Sequence, residues 1–438
     1  MKVNGKAQLQ PSQLSVYQAA RRTLCTALLG ENQFYESGKS IMDRLREYAG
    51  QLSEKESREI LQMAKEQKLR QSPAFWAIQM LKHGNLKASD LDTVVDRADI
   101  MTDLVAMYWN EPGNKRAIPN QLRRGLANQF SKFDEYQFGK YKAEKSQVKM
   151  RDVVRMCHPV PANDERAALY KRIVEGTLAT PDTWEVGLTN CHTDSEKKEF
   201  WTRMLNERKL GSLALLRNLR NMESVNVNED LIKEAINDAH CGKLLPYQIY
   251  NAVEYAPSLA SAIEAKFFEA CKGLPHLSGK TLIMVDSSGS MNWSGSGSTS
   301  PVKMAGCLAA IAKNICDEAV VYHFDSSAVQ MRDDLKGFAL IDAMPTSGGC
   351  TRIADCTRAA VKEYAEKHDG AKFDRIIVLT DNEANADQEI AMPSVKHGYA
   401  INLCPYGQQG NTFYGKHWNY IDGFSENVFK YIATFEAL

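Results

Sequence analysis

The chain has 438 residues, 44% hydrophobic and 25% charged, with 54 basic and 54 acidic side chains and a formal net charge of zero. Such a length exceeds one ordinary core, so two or three domains are expected, and the composition is that of a globular protein, not a disordered one. No apolar run reaches the ~18 residues of a membrane span, the first residues lack the apolar core of a signal peptide, and the ten cysteines form no C-x-x-C pair or Cys/His cluster; a reduced, cytoplasmic chain without a membrane partner is expected.

Residues 1 to about 272 read as helix after helix. Ser53-Glu54-Lys55-Glu56 is a capping box, and Ile60, Leu61 and Ala64 recur behind it at helical spacing. Ser72-Pro73 opens the next helix and Gly84 closes it, the usual asymmetry of Pro early and Gly late. Phe75, Trp76 and Tyr108 fall at core spacing. Further helices are predicted over 91–108, 121–130, 148–158, 165–175, 194–208 and 230–239. Alternating strand patterns are absent. Many short helices joined by short loops predict an α-solenoid of HEAT-like helix pairs over 1–275, without an exact sequence repeat.

The charge of this part is uneven. Residues 1–280 carry 41 basic and 35 acidic side chains, whereas the segment 115–158 alone carries 11 basic and 4 acidic. A local basic stripe points to a polyanion partner; the alternative is an ordinary solvated face. Arg123, Arg124, Lys140, Lys142, Arg151, Arg155 and His158 are the candidate residues for binding such a polyanion. Arg151, Arg155 and His158 are spaced i, i+4, i+7 and share a helical face. Lys and Arg are the counter-charges phosphates need, and Tyr or His can stack on unpaired bases. His158 could equally cap the helix C-terminus, and Arg123 and Arg124 could be plain surface residues. Arg217 and Arg220, in an apolar helix, are expected to salt-bridge within the repeat stack.

The pattern changes near Gly279. Apolar runs at 281–285, 319–324, 375–379 and 399–404 alternate with helical stretches at 302–316 and 351–368, and a last amphipathic helix spans 426–438. Strand alternating with helix predicts an α/β domain over 276–438, its parallel sheet covered on both faces. The first strand ends in Asp286-Ser287-Ser288-Gly289-Ser290. This D-x-S-x-S spacing sets hard oxygen ligands, Asp286, Ser288 and Ser290, at a strand's C-terminal end. Ser347-Gly348-Gly349-Cys350-Thr351 offers Thr351 on a Gly-rich loop, and 376–381 is a second buried strand ending in Asp381. Ligands gather outside the carboxyl ends of parallel strands, so the three can converge. Oxygen ligands with few charges suit Mg2+ or Mn2+; helix caps and turns are the other reading. No enzyme is expected. Two-metal phosphoryl chemistry needs clustered carboxylates, Glu383 is displaced by two residues from Asp381, no G-x-S-x-G or phosphate loop is present, and His323 and Asp325 lack a nucleophile to pair with.

The set of three loops resembles the metal-ion-dependent adhesion site of von Willebrand factor A domains. That resemblance implies direct or water-mediated coordination by Ser288, Ser290 and Thr351, charge from Asp286 and Asp381 through water, and a protein partner whose acidic side chain completes the shell. The helical part resembles the TROVE module in Ala117-Ile118-Pro119-Asn120-Gln121-Leu122-Arg123-Arg124, in Arg151 to Pro159, in Ala214 to Met222 and in Leu245 to Ala252. A TROVE module followed by an A domain resembles the Ro family, the RNA-binding family of the Ro autoantigen, and a bacterial or phage version fits the compact length. The resemblance implies a ring of helical repeats closed by the A domain. Small Y-like RNAs would bind its outer surface and single-stranded ends of misfolded RNAs would pass through its hole, in RNA stability or quality control. A monomer is expected. The family's basic positions fall on Lys140 and His158, and a further arginine of the family falls near Glu144 or Lys145. The competing function is a metal-dependent protein-adhesion scaffold with no RNA role.

Overall fold

A computed structural model describes residues 15–26, 38–67, 69, 71–113, 117–141, 147–242, 244, 246–292, 300–381, 392–403, 418–422 and 427–437. The chain divides into two compact units, one built from Ser15–Leu24 and Ile41–Asn190, the other mainly from Cys191–Leu438. The change from helices to strands comes at Leu277, inside the second unit. Among the described residues no helix is long and apolar enough to cross a membrane.

Among the described residues, every element of the first unit is a helix. Its Glu54–Glu66 helix starts at the capping box: the Ser53 hydroxyl accepts from the Glu56 N–H, and the Glu56 carboxylate accepts from the Ser53 N–H at 2.9 Å. The Ser72–Lys82 helix buries nearly every side chain, and Trp76, fully enclosed, donates its indole N–H to the Ser57 carbonyl at 3.0 Å. Phe75 and Tyr108 are buried as expected. One predicted element is broken. Residues 91–108 form two helices, Leu91–Val94 and Ala98–Asn110, because Val95 and Arg97 take extended backbone. Adjacent valines are stiff at χ1, and Asp96 between Val95 and Arg97 favours turns, so the apolar periodicity outlasts the helix.

Among the described residues of the second unit, six α-helices, from Asp194–Asn206 to Ala260–Cys271, precede a six-stranded sheet. The strands are β1 (Leu277–Asp286), β2 (Cys316–Phe324), β3 (Ala328–Gln330), β4 (Arg375–Thr380), β5 (His397–Asn402) and β6 (Trp418–Asp422), in the order β3-β2-β1-β4-β5-β6. All pairs are parallel except β2 with β3. The last six residues of β1, like all of β4, are buried, as parallel strands covered on both faces require. Leu282 and Met284 share a core with Tyr322, Val378 and the inner side of the Ile353–Lys367 helix. The Pro301–Ile315 helix packs on β1 and β2 outside that cluster. β3 and β6 escape a reading by apolar runs: β3 is three residues long, and β6 alternates Trp418-Asn419-Tyr420-Ile421-Asp422 at the sheet's edge.

Candidate functional site

The order β3-β2-β1-β4-β5-β6 reverses direction between β1 and β4, and the crevice outside the carboxyl ends of those two strands is where open α/β sheets bind ligands. Asp286 ends β1 and Asp381 follows β4. Both are buried, as are Ser288 and Thr351. Thr380 donates its hydroxyl to Asp286 Oδ2 at 2.6 Å, and the Ser288 N–H donates to Asp286 Oδ1 at 2.9 Å. Ser288 Oγ and Ser290 Oγ lie 3.3 Å apart. The 347–351 loop is tied to the β1 loop by the Ser347 N–H on the Ser287 carbonyl at 3.1 Å, by Gly289 N–H on the Gly349 carbonyl at 3.4 Å, and by the Asn292 amide on the Ser347 carbonyl. Three sequence-distant loops therefore converge.

A further layer holds them. The Ser347 hydroxyl donates to Asp325 Oδ2 at 2.5 Å and keeps that carboxyl below the usual carboxylate range. A Cβ on Gly349 would come within 2.7 Å of Asp325 Oδ2, so only glycine lets the loop lie this close. Thr380 and Ser347 are candidate-site residues that motif reading did not assign a role; Thr380 carries a signal only in hindsight of its neighbour Asp381. A hydroxyl does stand beside His323: Ser287 Oγ is 3.4 Å from Nδ1. It is fully buried and donates to the Phe324 carbonyl at 3.0 Å, so it is spoken for by the backbone.

Burial, and then the charge of Asp381, push the Asp286 carboxyl up to about 7. Two enclosed carboxylates repel each other, and a divalent cation would remove that penalty. Among the described residues no group of three or more His, Cys, Asp or Glu side chains is arranged to hold a metal. The donor set is instead two carboxylates with the hydroxyls of Ser288, Ser290 and Thr351, which fits a hard cation and not zinc.

The basic candidates lie in the other unit. The Met150–Cys157 helix exposes Arg151 and Arg155, and His158 follows as its exposed C-cap, in the left-handed region at φ 50° with its N–H on the Val154 carbonyl. Arg151 and Arg155 share an exposed face of this helix, whereas His158 leaves the helical conformation, and the cap it forms is made by its backbone N–H. The left-handed conformation is uncommon for a non-glycine residue, and a following proline disfavours the helical region at His158 as well. The Asn120–Gln129 helix packs against this one and exposes Arg123 and Arg124. Arg123 is close enough to Cys157 for its charge to oppose the burial that pushes that thiol up to about 12. Arg124 and Arg155 have no side-chain partner among the described residues; Arg123 bonds only Asn120, at 3.0 Å, and Arg151 reaches Asp152 only at 4.0 Å. Four guanidiniums on two neighbouring helices are thus left with little internal compensation.

Lys140 ends a separate short helix, Glu135–Lys140, capped by Asp134, and is exposed. Lys142, like Glu144 and Lys145, lies outside the described residues. Arg217 and Arg220 correct the expectation of salt bridges: both are exposed and neither forms an ion pair among the described residues, and Arg220 instead lies over the Tyr255 ring at 5.8 Å. The break between the Ser212–Arg217 and Leu219–Ser224 helices at Asn218 accompanies this placement outside the core.

No protein-family model matches the chain, and no curated protein matches it. Among solved structures it is similar to the Ro (RSR) protein of Deinococcus radiodurans, with 18% identity and a TM-score of 0.66 over 96% of this chain and 100% of that one. At that identity the likeness is one of fold: the chain is Ro-like in fold, helical repeats followed by an A-type α/β domain.

Proposed function

We propose that the chain is a Ro-type RNA-binding protein, acting without catalysis on small Y-like RNAs and on the single-stranded ends of misfolded RNAs, in RNA stability or quality control. The observation that carries this reading is the set of exposed arginines, 123, 124, 151 and 155, left with little compensation on two adjacent helices. The Ro-like fold supports it. Such a surface neutralises phosphates and releases counterions, a sequence-independent source of affinity. In this proposal the protein is a cytoplasmic monomer, and the helical repeats form a ring whose hole admits one strand but not a duplex. A titration of the purified protein against tailed and blunt RNA tests it: tailed RNA binds tighter, and RNA that copurifies from the host is structured with free ends. Equal affinity for both RNAs removes threading, and absence of any RNA binding leaves the adhesion scaffold as the function.

The proposal includes a divalent cation, Mg2+ or Mn2+, at the β1 and β4 ends, with Ser288, Ser290 and Thr351 as hydroxyl ligands and Asp286 and Asp381 as charge. When bound it would offer a partner's acidic side chain a Lewis-acidic contact. The repulsion between the two carboxylates gives a test with two opposite signs. Asp286→Asn keeps an oxygen acceptor but removes one charge. Without added metal the variant melts higher than the wild type. With Mg2+ at about 100 times its dissociation constant, the wild type gains about 2.7 kcal/mol and the variant close to nothing. Equal Mg2+ shifts in the two proteins place the cation elsewhere.

A further inference from the structure

Tyr136 breaks the rule that large aromatic rings go inside. It is 49% exposed, on the outward side of the Glu135–Lys140 helix, while Phe138 and Gly139 of the same helix are buried. The tyrosine is not needed for that core, which Phe130, Phe133, Phe138 and Tyr170 build among themselves. Its hydroxyl has no hydrogen-bond partner among the described residues. Lys140 stands four residues on, so the two share a helical face, and Lys140 Nζ is 5.9 Å from the Tyr136 ring centroid.

The lysine is itself held in place. Its ammonium is 5.8 Å from the ring of Tyr141, and the Arg97 guanidinium lies over that second ring at 5.6 Å. Asp99 grips Arg97 through two bonds, at 3.1 and 2.8 Å, and neutralises it. Tyr141 is half-buried and already carries two cations. It serves as a backing for Lys140, whereas Tyr136 keeps open ring surface. An exposed π-face beside an ammonium fits a nucleotide: the base stacks on the ring and the phosphate meets the cation. A protein partner fits less well, because the neighbouring Glu135 is already engaged by Arg172 and the group beside the ring is an ammonium.

We infer that Tyr136 is a base-stacking platform for single-stranded RNA, with Lys140 as its phosphate partner. This rests on the RNA-binding reading above and adds a residue that binds through a base, not through phosphate. The two modes separate on a salt series. Stacking neutralises no phosphate, so Tyr136→Ala weakens binding of a fluorescein-labelled oligouridine on the order of tenfold and leaves the slope of log affinity against log salt unchanged. Lys140→Ala lowers that slope by about 0.7. Tyr136→Phe keeps the wild-type affinity, since the hydroxyl has no role. An abasic strand with the same phosphates is the decisive probe: wild type and Tyr136→Ala bind it equally. The inference is overturned if Tyr136→Ala binds oligouridine as the wild type does, or if it loses as much affinity for the abasic strand. If the wild type binds neither strand, the RNA reading itself fails, an outcome distinct from both.

Discussion

Replacing Arg123, Arg124, Arg151 and Arg155 together by alanine will flatten the salt dependence of single-stranded RNA binding by roughly 2.8 in log–log slope, about 0.7 for each phosphate no longer neutralised. Near 0.1 M salt the same change amounts to a fall in affinity on the order of several hundredfold. The fold should hardly notice. The four side chains are exposed, none belongs to a buried network, and surface changes of this kind stay within about 0.5 kcal/mol. Binding weakens for all sequences alike, because phosphate contacts carry little sequence information. The measurement is a titration of wild type and variant over one salt series, with thermal melts as the folding control. A slope that does not move assigns the RNA to another surface, and the exposed Arg217 and Arg220 with Tyr255 are the next place to look.

The sequence made some elements plain and hid others for physical reasons. The Ser53 capping box was readable because it encodes its own local hydrogen bonds, and the Ser72-Pro73 start because the fixed φ and missing N–H of proline suit a first helical turn. β1 and β4 were readable because strands buried on both faces are continuous apolar runs. The 91–108 stretch misled because apolar spacing persists through Val94-Val95 although the backbone turns extended at Val95. Edge strands β3 and β6 gave no run at all, being short or alternating.

The candidate sites divide in the same way. Asp286, Ser288 and Ser290 announce themselves by spacing. Their support does not: Thr380 reaches Asp286 across 94 residues, and Asp325 holds Ser347 across 22, pairings that only the sheet's topology creates. On the helical side, counting charges found the basic segment, but not which members lack internal partners. Arg172, outside that segment, is engaged by Glu135, whereas Arg155 has no such partner among the described residues. Nor did spacing distinguish Tyr136 from the buried Phe138 two positions later.

Glu436→Ala will cost the second unit about 3–5 kcal/mol, the usual consequence of stranding one member of a buried ion pair. Arg375 opens β4 with only 2% of its surface exposed. Its Nε donates to Glu436 Oε1 at 2.6 Å and its Nη2 pairs with Oε2, while Nη1 donates to the Thr281 hydroxyl at 2.9 Å. Tyr399 adds its phenol to Glu436 Oε1 at 3.0 Å, so β4, β5 and the Asn427–Glu436 helix meet on one carboxylate, and β1 joins them through the Arg375 guanidinium. Alanine at 436 leaves a guanidinium that is enclosed, permanently charged and short of acceptors. Replacing both partners by apolar residues, Arg375→Met with Glu436→Leu, should be far milder than either single change, since the desolvation penalty goes with the charges. Denaturant melts of the two singles and the double close the cycle, and additive losses would show that the pair is not coupled. The stakes reach the candidate metal centre because β4 begins at Arg375 and ends at Thr380, the residue bonded to Asp286. A strand released at its start has more freedom at its end, so the Glu436→Ala protein should also show a weaker Mg2+-dependent stabilisation than the wild type.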